Sequence, residues 1–500
     1  MSVTTTTHIL QQLRVIFRDF ECKATVETLS LIKVALINPP PPAVIQTWDK
    51  PPYPSLALGY LTGFLEAKGV NVLTIDAAFD GLSLNEVKDY LLKFQPQVLG
   101  FTAMTHRITH VAWVANELKK LFPESPVIIG GPHPTVIPAR TLQEFPIFDI
   151  AVIGEGELTL LDLVKSIQRY GSSQRLASIK GIAWRFKDEI KTNEPREPIL
   201  NLDSLPFPDY DHIKRRIKIY PIFSSRGCPY QCVFCCRIHG NRLRVRSPKN
   251  VINEIEYAIN KFNPKLLDFA DDTFTIPKRR AMEICDLMIS EGLNKRIKWT
   301  ALSRVTGVDQ ALFDKMKEAG CIKVDFGVES GNPDVLKRIK KEITVTDAEK
   351  AIQMAKKAGL KTGSYFIIGH PYETTQTICD TIELATKLNT NTVSFGIMVP
   401  YPGTEVYEMA TKGEGNYKLI SEKWDNFDKQ IGNALELEGL PRKELEKWQV
   451  KAYITFYLHN YRLLDLVRMA ISQRKLGWKI VTKRNHSLRY EPEAVGNMDA

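Results

Sequence analysis

Apolar and polar positions alternate along this chain in two long blocks, each with a strand-then-helix rhythm. Residues 32–37, IKVALI, form the short continuous apolar run of a buried strand, and NPPPP stops it at Asn38. Helical spacing follows in SLALGYLTGFLEAKG (55–69), which closes on a glycine. Further strands are predicted at 70–76, 98–103, 126–131 and 150–157, with helices at 84–96, 110–123, 138–145 and 158–168. Buried runs separated by amphipathic helices predict a doubly wound parallel sheet, covered on both faces. Such a sheet binds ligands beyond the carboxyl ends of its strands. Here those ends carry Asn38 to Pro42, Thr102 to Thr105, Gly130 to His133 and Gly154 to Glu157.

The rhythm breaks between 170 and 215. GIAWRFKDEI reads as a small hairpin, and the proline-rich NEPREPILNLDSLPFPDYD reads as an extended linker. A second block then places strands at 219–227, 266–271, 297–304, 322–330, 361–369 and 392–400. Helices intervene at about 248–261, 278–291, 309–319, 333–339, 346–359 and 374–388. This series predicts a partial (β/α)6 barrel with its functional residues at the carboxyl ends of the strands. Beyond 405 no strand is predicted, and residues 442–473 form a long helical stretch. The expected α/β organisation is an extension (1–31), a sheet domain (32–169), a linker (170–214), a barrel (215–405) and a helical region (406–500).

Five hundred residues, 44% hydrophobic and 25% charged, suit two or three packed domains. The net charge is +10, of which residues 206–350 supply +8, from 27 basic and 19 acidic residues. Without an arginine-rich tail, zinc-finger spacing or basic recognition helix, this does not make a nucleic-acid footprint. It suits an anionic small substrate or cofactor. The first thirty residues lack an export-signal pattern, and no run of 18 apolar residues is free of charge, so a cytoplasmic protein with no transmembrane segment is expected. Four of the eight cysteines crowd into Cys228, Cys232, Cys235 and Cys236, which favours a metal site in a reducing compartment over a disulfide scaffold.

Cys228, Cys232 and Cys235 have the spacing Cys-x3-Cys-x2-Cys in SSRGCPYQCVFCC (224–236), directly after the first strand of the second block. Three soft thiolates on one loop can hold three irons of a cubane and leave the fourth iron open. Zinc would need a fourth ligand, for which only His239 is at hand. The loop resembles the signature of the radical S-adenosylmethionine superfamily, with Phe234 at the aromatic position before the third cysteine. The resemblance implies a [4Fe-4S] cluster on Cys228, Cys232 and Cys235, whose open iron is chelated by S-adenosylmethionine. Reductive cleavage then gives methionine and a 5'-deoxyadenosyl radical. By the same resemblance, Phe234 packs near the adenine, and Asp271 and Asp272 of FADDTF (269–274) meet the methionine amino group. Arg304 of ALSRV (301–305) pairs with the carboxylate, and Glu329 of FGVESG (326–331) meets the ribose. Gly369 of YFIIGHP (365–371) lies on the strand whose backbone lines the adenine. Cys236 breaks the spacing and is expected not to ligate.

The first block, placed before such a barrel, resembles the cobalamin-binding domain of the class B radical enzymes. Gly130, Gly131, Gly154 and Gly156 would let backbone approach the nucleotide tail, and Thr102 and Thr105 would hydrogen-bond its edge. Glu155 belongs to the same GEGE turn, while Tyr53 and Leu56 lie either against the corrin face or in the core. Family members with a histidine below the cobalt carry it in a loop after the first strand. Here that loop is NPPPP, and the similar DAAFDG (76–81) has Ala78 in place of histidine, so no histidine is expected on the lower face. His106, His110 and His133 are expected to be solvated or to touch the tail. The resemblance implies methylation of an unactivated carbon in a small-molecule or lipid-like substrate, with flavodoxin or ferredoxin as electron donor. The alternative is a cobalamin-dependent oxidative cyclase acting on a tetrapyrrole. Tyr453, Phe456, Tyr457, Tyr461 and Trp478 either enclose a large apolar substrate or form core. The basic, aromatic tail (474–490) reads either as a membrane-surface or substrate-covering element or as a solvated helix end.

Overall fold

Val34, Ala35, Leu36 and Ile37 are buried, which a strand achieves only between two neighbours and two layers of helices. In a computed structural model that describes residues 32–42, 51–170, 176–428 and 432–468, β1 (Lys33–Asn38) lies between β2 (Asn71–Asp76) and β3 (Val98–Thr102), parallel to both. Residues 1–31 and the tail 474–490, with Cys22 and Trp478, lie outside the described residues. β4 (Val127–Gly130) and β5 (Ile150–Val152) extend the sheet in the same direction. The order β2-β1-β3-β4-β5 reverses at β1/β3, so the loops after these two strands diverge and open a crevice. Helices α1 (Leu56–Glu66), α2 (Leu84–Phe94), α3 (Ile108–Lys119), α4 (Pro138–Glu144) and α5 (Gly156–Tyr170) connect the strands. Ser55 caps α1, and Ser83 with Glu86 forms a capping box on α2.

The hairpin assigned to the linker corrects the expected boundary. β6 (Ile182–Phe186) pairs antiparallel with β5, Ile150 opposite Trp184, and β7 (Glu189–Thr192) adds the edge. Trp184 is buried in the core beneath the first sheet, so the hairpin belongs to that sheet.

In the second block β8 (Ile219–Ile222) starts a parallel sheet, and a short ribbon of β9 (Ser225–Arg226) and β10 (Arg244–Val245) frames the cysteine loop. After α6 (Pro248–Phe262), β11 (Leu266–Phe269) alternates with α7 (Lys278–Ser290), β12 (Lys298–Ser303), α8 (Gln310–Glu318) and β13 (Cys321–Glu329). The series ends with α9 (Val345–Lys357), β14 (Lys361–Ile368), α10 (Thr375–Leu388) and β15 (Thr392–Ile397). The strands stand in chain order from β8 to β15 and do not close on each other. Outward-facing Leu267, Trp299, Val324 and Phe366 are buried beneath the helices. Inward-facing Asp268, Thr300 and Asp325 are only half-buried, and Tyr365 is 40% exposed. The barrel is therefore an open trough with a polar floor, where Thr300 donates to Asp268 (2.6 Å) and Lys323 pairs with Asp325 (2.8 Å).

The C-terminal region is not purely helical, a second correction. After α11 (Glu405–Lys412), β16 (Tyr417–Leu419) and β17 (Leu435–Leu437) form an antiparallel ribbon, followed by α12 (Arg442–His459). Three-residue strands are too short for a period-two pattern to register. α12 closes the free edge of β15: Gln449 donates to the Phe395 carbonyl (2.7 Å), and the Phe395 amide donates to the Tyr453 hydroxyl (3.1 Å). Tyr453, Phe456 and Tyr457 thus pack against the barrel. Trp424 and Phe427 turn back into the core of the first sheet, which fastens the last third of the chain to the first.

His133 corrects another expectation. It is fully buried against Trp424 (5.0 Å, perpendicular), with neither ring nitrogen hydrogen-bonded, and burial, aided by Arg140, pushes its pKa down to about 3. A histidine held neutral in the fold costs stability as pH falls from its unfolded value near 6.5 toward 3, because the unfolded chain takes up the proton first. We expect the melting temperature of the wild-type chain to fall across this range, a loss approaching roughly 5 kcal/mol at the acid limit. His133→Leu should flatten that slope, read by calorimetry at several pH values. Equal slopes would refute the attribution.

Candidate active site at the carboxyl ends of the two sheets

The cysteine loop is fixed before its first cysteine. Asp271, directly beyond β11, is 1% exposed and accepts from the amides of Ser224 (2.8 Å) and Ser225 (2.6 Å) and from both hydroxyls. Arg280 on α7 donates to the Ser224 carbonyl (2.8 Å) from the other side. Gly227 follows with φ +88°, and a Cβ there would stand 2.4 Å from the Arg242 carbonyl, so the loop turns on glycine. Further on, the Val233 amide donates to the Ile339 carbonyl (3.2 Å), and the Cys235 amide donates to the Cys232 carbonyl (3.1 Å). Cys236 points elsewhere, its sulfur 4.0 Å from the Pro402 carbonyl.

Cations surround this loop. The Arg304 guanidinium carbon lies over Tyr230, 3.5 Å from the ring centroid, with Nη1 3.9 Å from Cys232 Sγ and Nη2 on the Lys341 carbonyl. Its Nε is buried with no partner. Glu329 ends β13 at φ +71°, where the strand register shifts, and its carboxylate pairs with Lys341 Nζ (2.7 Å). A Cβ on Gly327 would stand 2.6 Å from Glu329 Oε1 and 3.0 Å from Lys341 Nζ, so this pair occupies space that only glycine leaves. Lys341 Nζ also lies 5.9 Å from the Phe234 ring. The hydrogen bond shared with Cys235 pulls the Cys232 thiol down to about 6 against its burial, and Lys341 and Arg304 add to the pull.

The β14 end completes this side. The His370 amide (3.1 Å) and the Gly369 amide donate to Glu373. Burial pushes the Glu373 carboxyl up to about 7 despite those donors. His370 is fully buried, 3.3 Å from the Glu329 carbonyl and 6.0 Å from the Phe234 ring centroid, and burial pushes it down to about 4. The Tyr417 hydroxyl donates to the Gly369 carbonyl (2.9 Å), so β16 buttresses this turn.

Cys232, Phe234, Arg304 and Glu329, predicted from motifs, are thus brought together, with Gly369 joined through His370. Asp271 differs from its expected role, because both its oxygens are committed to the serines that anchor the loop. Asp272 remains exposed at the strand end. Lys341, His370, Glu373 and Tyr230 were missed as side chains of the site. Lys341 sits between Lys340 and Glu342, both at positive φ, in a loop without periodicity, so no sequence pattern singles it out.

At the first sheet the glycines divide. A Cβ on Gly131 (φ +99°) would stand 2.7 Å from Thr102 Oγ1, and one on Gly156 3.1 Å from Leu61, so both sites are filled by this chain itself. A larger residue there would disturb packing before it reported on a ligand. Gly130 would meet only ordinary contacts. Gly154 (φ +77°) has no atom within 4 Å of where its Cβ would be, an open cradle beside a cavity of about 240 Å³ lined by Thr135, Gly154, His239 and Arg244. Thr102 is half-buried at the end of β3, whereas Thr105 is buried. His110 Nε2 lies 2.9 Å from the Pro40 carbonyl, and Asp76 accepts from Asn38 (2.7 Å) and the Ser55 amide (2.6 Å), which ties down the proline loop. His106 lies 3.8 Å from Asp428.

Glu155 is also reassigned. Its carboxylate pairs with Arg244 (2.8 Å) and Arg226 (3.3 Å) and accepts from the Ile199 amide (2.8 Å). Although burial works to raise its pKa, the Arg244 hydrogen bond and Arg226 hold it below the usual carboxylate range. Glu157 pairs with Arg226 at 2.7 Å. Arg226 immediately precedes Gly227 and Cys228, so two carboxylates of the first sheet grip the root of the cysteine loop.

These residues fit the groups that the motifs imply. Three thiols on one loop beside two cations, one with an unpartnered buried Nε, suit an anionic iron–sulfur cluster and a carboxylate-bearing ligand. The open cradle at Gly154, at the crevice end of the sheet, suits a broad cofactor with a tail.

The two sheets and their shared site define a radical enzyme with a second cofactor domain. The sequence model of the Radical SAM superfamily matches residues 222–385, and that of the B12 binding domain matches residues 49–164. The chain is 34% identical to an uncharacterized methyltransferase of Pyrococcus horikoshii over 86% of its own length and 93% of the relative's. It is 31% identical to the anaerobic magnesium-protoporphyrin IX monomethyl ester cyclase of Cereibacter sphaeroides over 81% and 67%. Among solved structures, the radical S-adenosylmethionine methyltransferase TsrM from Kitasatospora setae matches with a TM-score of 0.68 at 19% identity, over 85% of this chain and 88% of that one. The chain belongs to the cobalamin-dependent radical S-adenosylmethionine enzymes. Its cofactors are a [4Fe-4S] cluster, S-adenosylmethionine and cobalamin.

Arg304→Ala provides a direct test of the cation side. Charge-assisted hydrogen bonds contribute about 1.5–3 kcal/mol, so we expect S-adenosylmethionine affinity to fall about ten- to a hundredfold with iron content unchanged. Calorimetric titration of the iron-loaded chain measures this, and wild-type affinity would remove Arg304 from the cofactor site.

Proposed function

We propose that this enzyme methylates an unactivated carbon of a small-molecule or lipid-like substrate lying in the open barrel trough. The observation that carries the reading is the grip of Glu155 and Glu157 on Arg226, which brings the crevice end of the first sheet against the root of the cysteine loop. One pocket can then serve both cofactors and the substrate carbon. When bound, the cluster with S-adenosylmethionine supplies a hydrogen-abstracting carbon radical, and cobalamin carries the methyl group.

The chain's own residues bind, orient and enclose. Cys228, Cys232 and Cys235 would hold iron, and Asp271, through Ser224 and Ser225, sets where their loop starts. Arg304 and Asp272 would hold the two ends of the methionine portion, the Glu329–Lys341 pair would meet the ribose, and Phe234 with the Gly369 backbone would line the adenine. Thr102, Gly130 and Gly154 would border a bound corrin and its tail. A low-potential one-electron donor such as flavodoxin or ferredoxin would supply the electron that the bound cluster needs. No helix among the described residues is long and apolar enough to cross a membrane.

The likeness to the monomethyl ester cyclase favours oxidative ring closure on a tetrapyrrole as the second reading. Anaerobically reconstituted enzyme, incubated with candidate extracts and methyl-deuterated S-adenosylmethionine, separates the two. A product heavier by a labelled methyl group supports methylation. A product that loses hydrogen and gains no label supports cyclisation and overturns it.

A further inference from the structure

Exposed large apolar side chains occur singly over most of the described residues, as on any protein surface, but not near the end of the chain. There Val450 (57% exposed), Ile454 (41%) and Leu458 (47%) stand four residues apart on the outer face of α12. Leu463, Leu464 and Val467 continue the exposed apolar run directly afterwards. The inner face of the same helix is core, with Leu445, Ala452 and Phe456 buried at 0%. The outer stripe is therefore not what holds α12 to the barrel. A contiguous apolar surface of this kind marks a contact with something else.

The charge beside it indicates what. Lys443, Lys447 and Lys451 are exposed with the same four-residue spacing on the same outer face, one turn before the apolar stripe. Lys447 shares its charge with Glu444 (2.5 Å), and Lys451 lies over Trp448 (4.2 Å). Past the described residues, positions 469–490 carry six lysines and arginines and no acidic residue. An exposed aliphatic stripe bordered by lysines and followed by a basic, aromatic segment has the chemistry of an interfacial element. A polyanion such as RNA would use the lysines but leave the aliphatic stripe in water.

We propose that the outer face of α12, with Leu463, Leu464 and Val467 just beyond it, rests on an anionic lipid bilayer, in its interface and without crossing it. This inference depends neither on methyl transfer nor on the identity of the substrate. α12 lies along the free edge of β15, so the docked face borders the open side of the barrel.

The test uses the full-length reconstituted holoenzyme in vesicle flotation. It should float with phosphatidylcholine vesicles containing phosphatidylglycerol, several-fold less with phosphatidylcholine alone, and less as salt shortens the Debye length below about 10 Å. Ile454→Glu combined with Leu458→Glu should lower partitioning about tenfold, a loss of about 1.4 kcal/mol. Its circular dichroism and cluster absorbance should match those of the wild type. Failure of the wild type to float with anionic vesicles would overturn the proposal. So would undiminished flotation of the variant, which would trace binding to charge alone. Sedimentation velocity adds a further check. A wild-type dimer that the same variant turns into monomers would assign the face to a second copy and overturn the bilayer.

Discussion

Cys232→Ala should yield a folded protein without the cluster's visible absorbance and without S-adenosylmethionine cleavage, and Cys228→Ala and Cys235→Ala should match it. The loop that presents these thiols is set by contacts outside it: Asp271 on Ser224 and Ser225, and the Ile339 carbonyl on the Val233 amide. Loss of one thiol would therefore remove a proposed iron ligand without unravelling the anchor, and circular dichroism should stay native. Cys236→Ala is the control. Its sulfur faces the Pro402 carbonyl at 4.0 Å, and its replacement should leave iron content and cleavage intact. If Cys236→Ala lost the cluster while Cys235→Ala kept it, the ligand register would be wrong. Anaerobic reconstitution followed by iron and sulfide analysis decides.

The second large effect concerns the grip between the sheets. Glu157 and Arg226 have side chains 5% and 6% exposed and pair at 2.7 Å. Removing one partner of a buried pair strands the other charge, at a cost of about 3–5 kcal/mol. Glu157→Ala should pay less than the full amount, about 3 kcal/mol, because Glu155 still faces Arg226 at 3.3 Å. The loss should also reach the cluster, since Arg226 adjoins Gly227 and Cys228. Urea titration of the variant should therefore release iron at a lower concentration than in the wild type. Replacing both partners, Glu157→Met with Arg226→Met, should recover much of the lost stability, as apolar substitutes for buried pairs often do. A Glu157→Ala variant as stable as the wild type would show that the grip contributes nothing.

Much of the candidate site is legible in the sequence. The three cysteines, Phe234, Arg304 and Glu329 stand at the ends of elements whose periodicity is plain, and the barrel brings such ends to one rim. The glycine turns of the first sheet were legible only as turns. Which of them leaves room for a ligand depends on neighbours such as Thr102 and Leu61, and Gly154 alone of the positive-φ pair is open. Asp271 and Glu155 lay in the right motifs with the wrong partners. Each side chain meets its partner through contacts that the motif does not contain.

The sequence by itself determined the two strand-helix series, the spacing of the cysteines and the absence of a histidine in the NPPPP loop. These are properties of spacing along the chain: a period of two or 3.6 buries one face, and three thiols within eight residues stay together however the rest packs. Only the tertiary structure decided where the buried charges go. Ser224 and Asp271 are 47 residues apart, Glu157 and Arg226 69, and Glu155 and Arg244 89. Lys341 comes from an aperiodic loop and meets Glu329 only because Gly327 leaves the space. A charge taken out of water must find an opposite charge or a donor, and packing, not local pattern, determines which one is within reach.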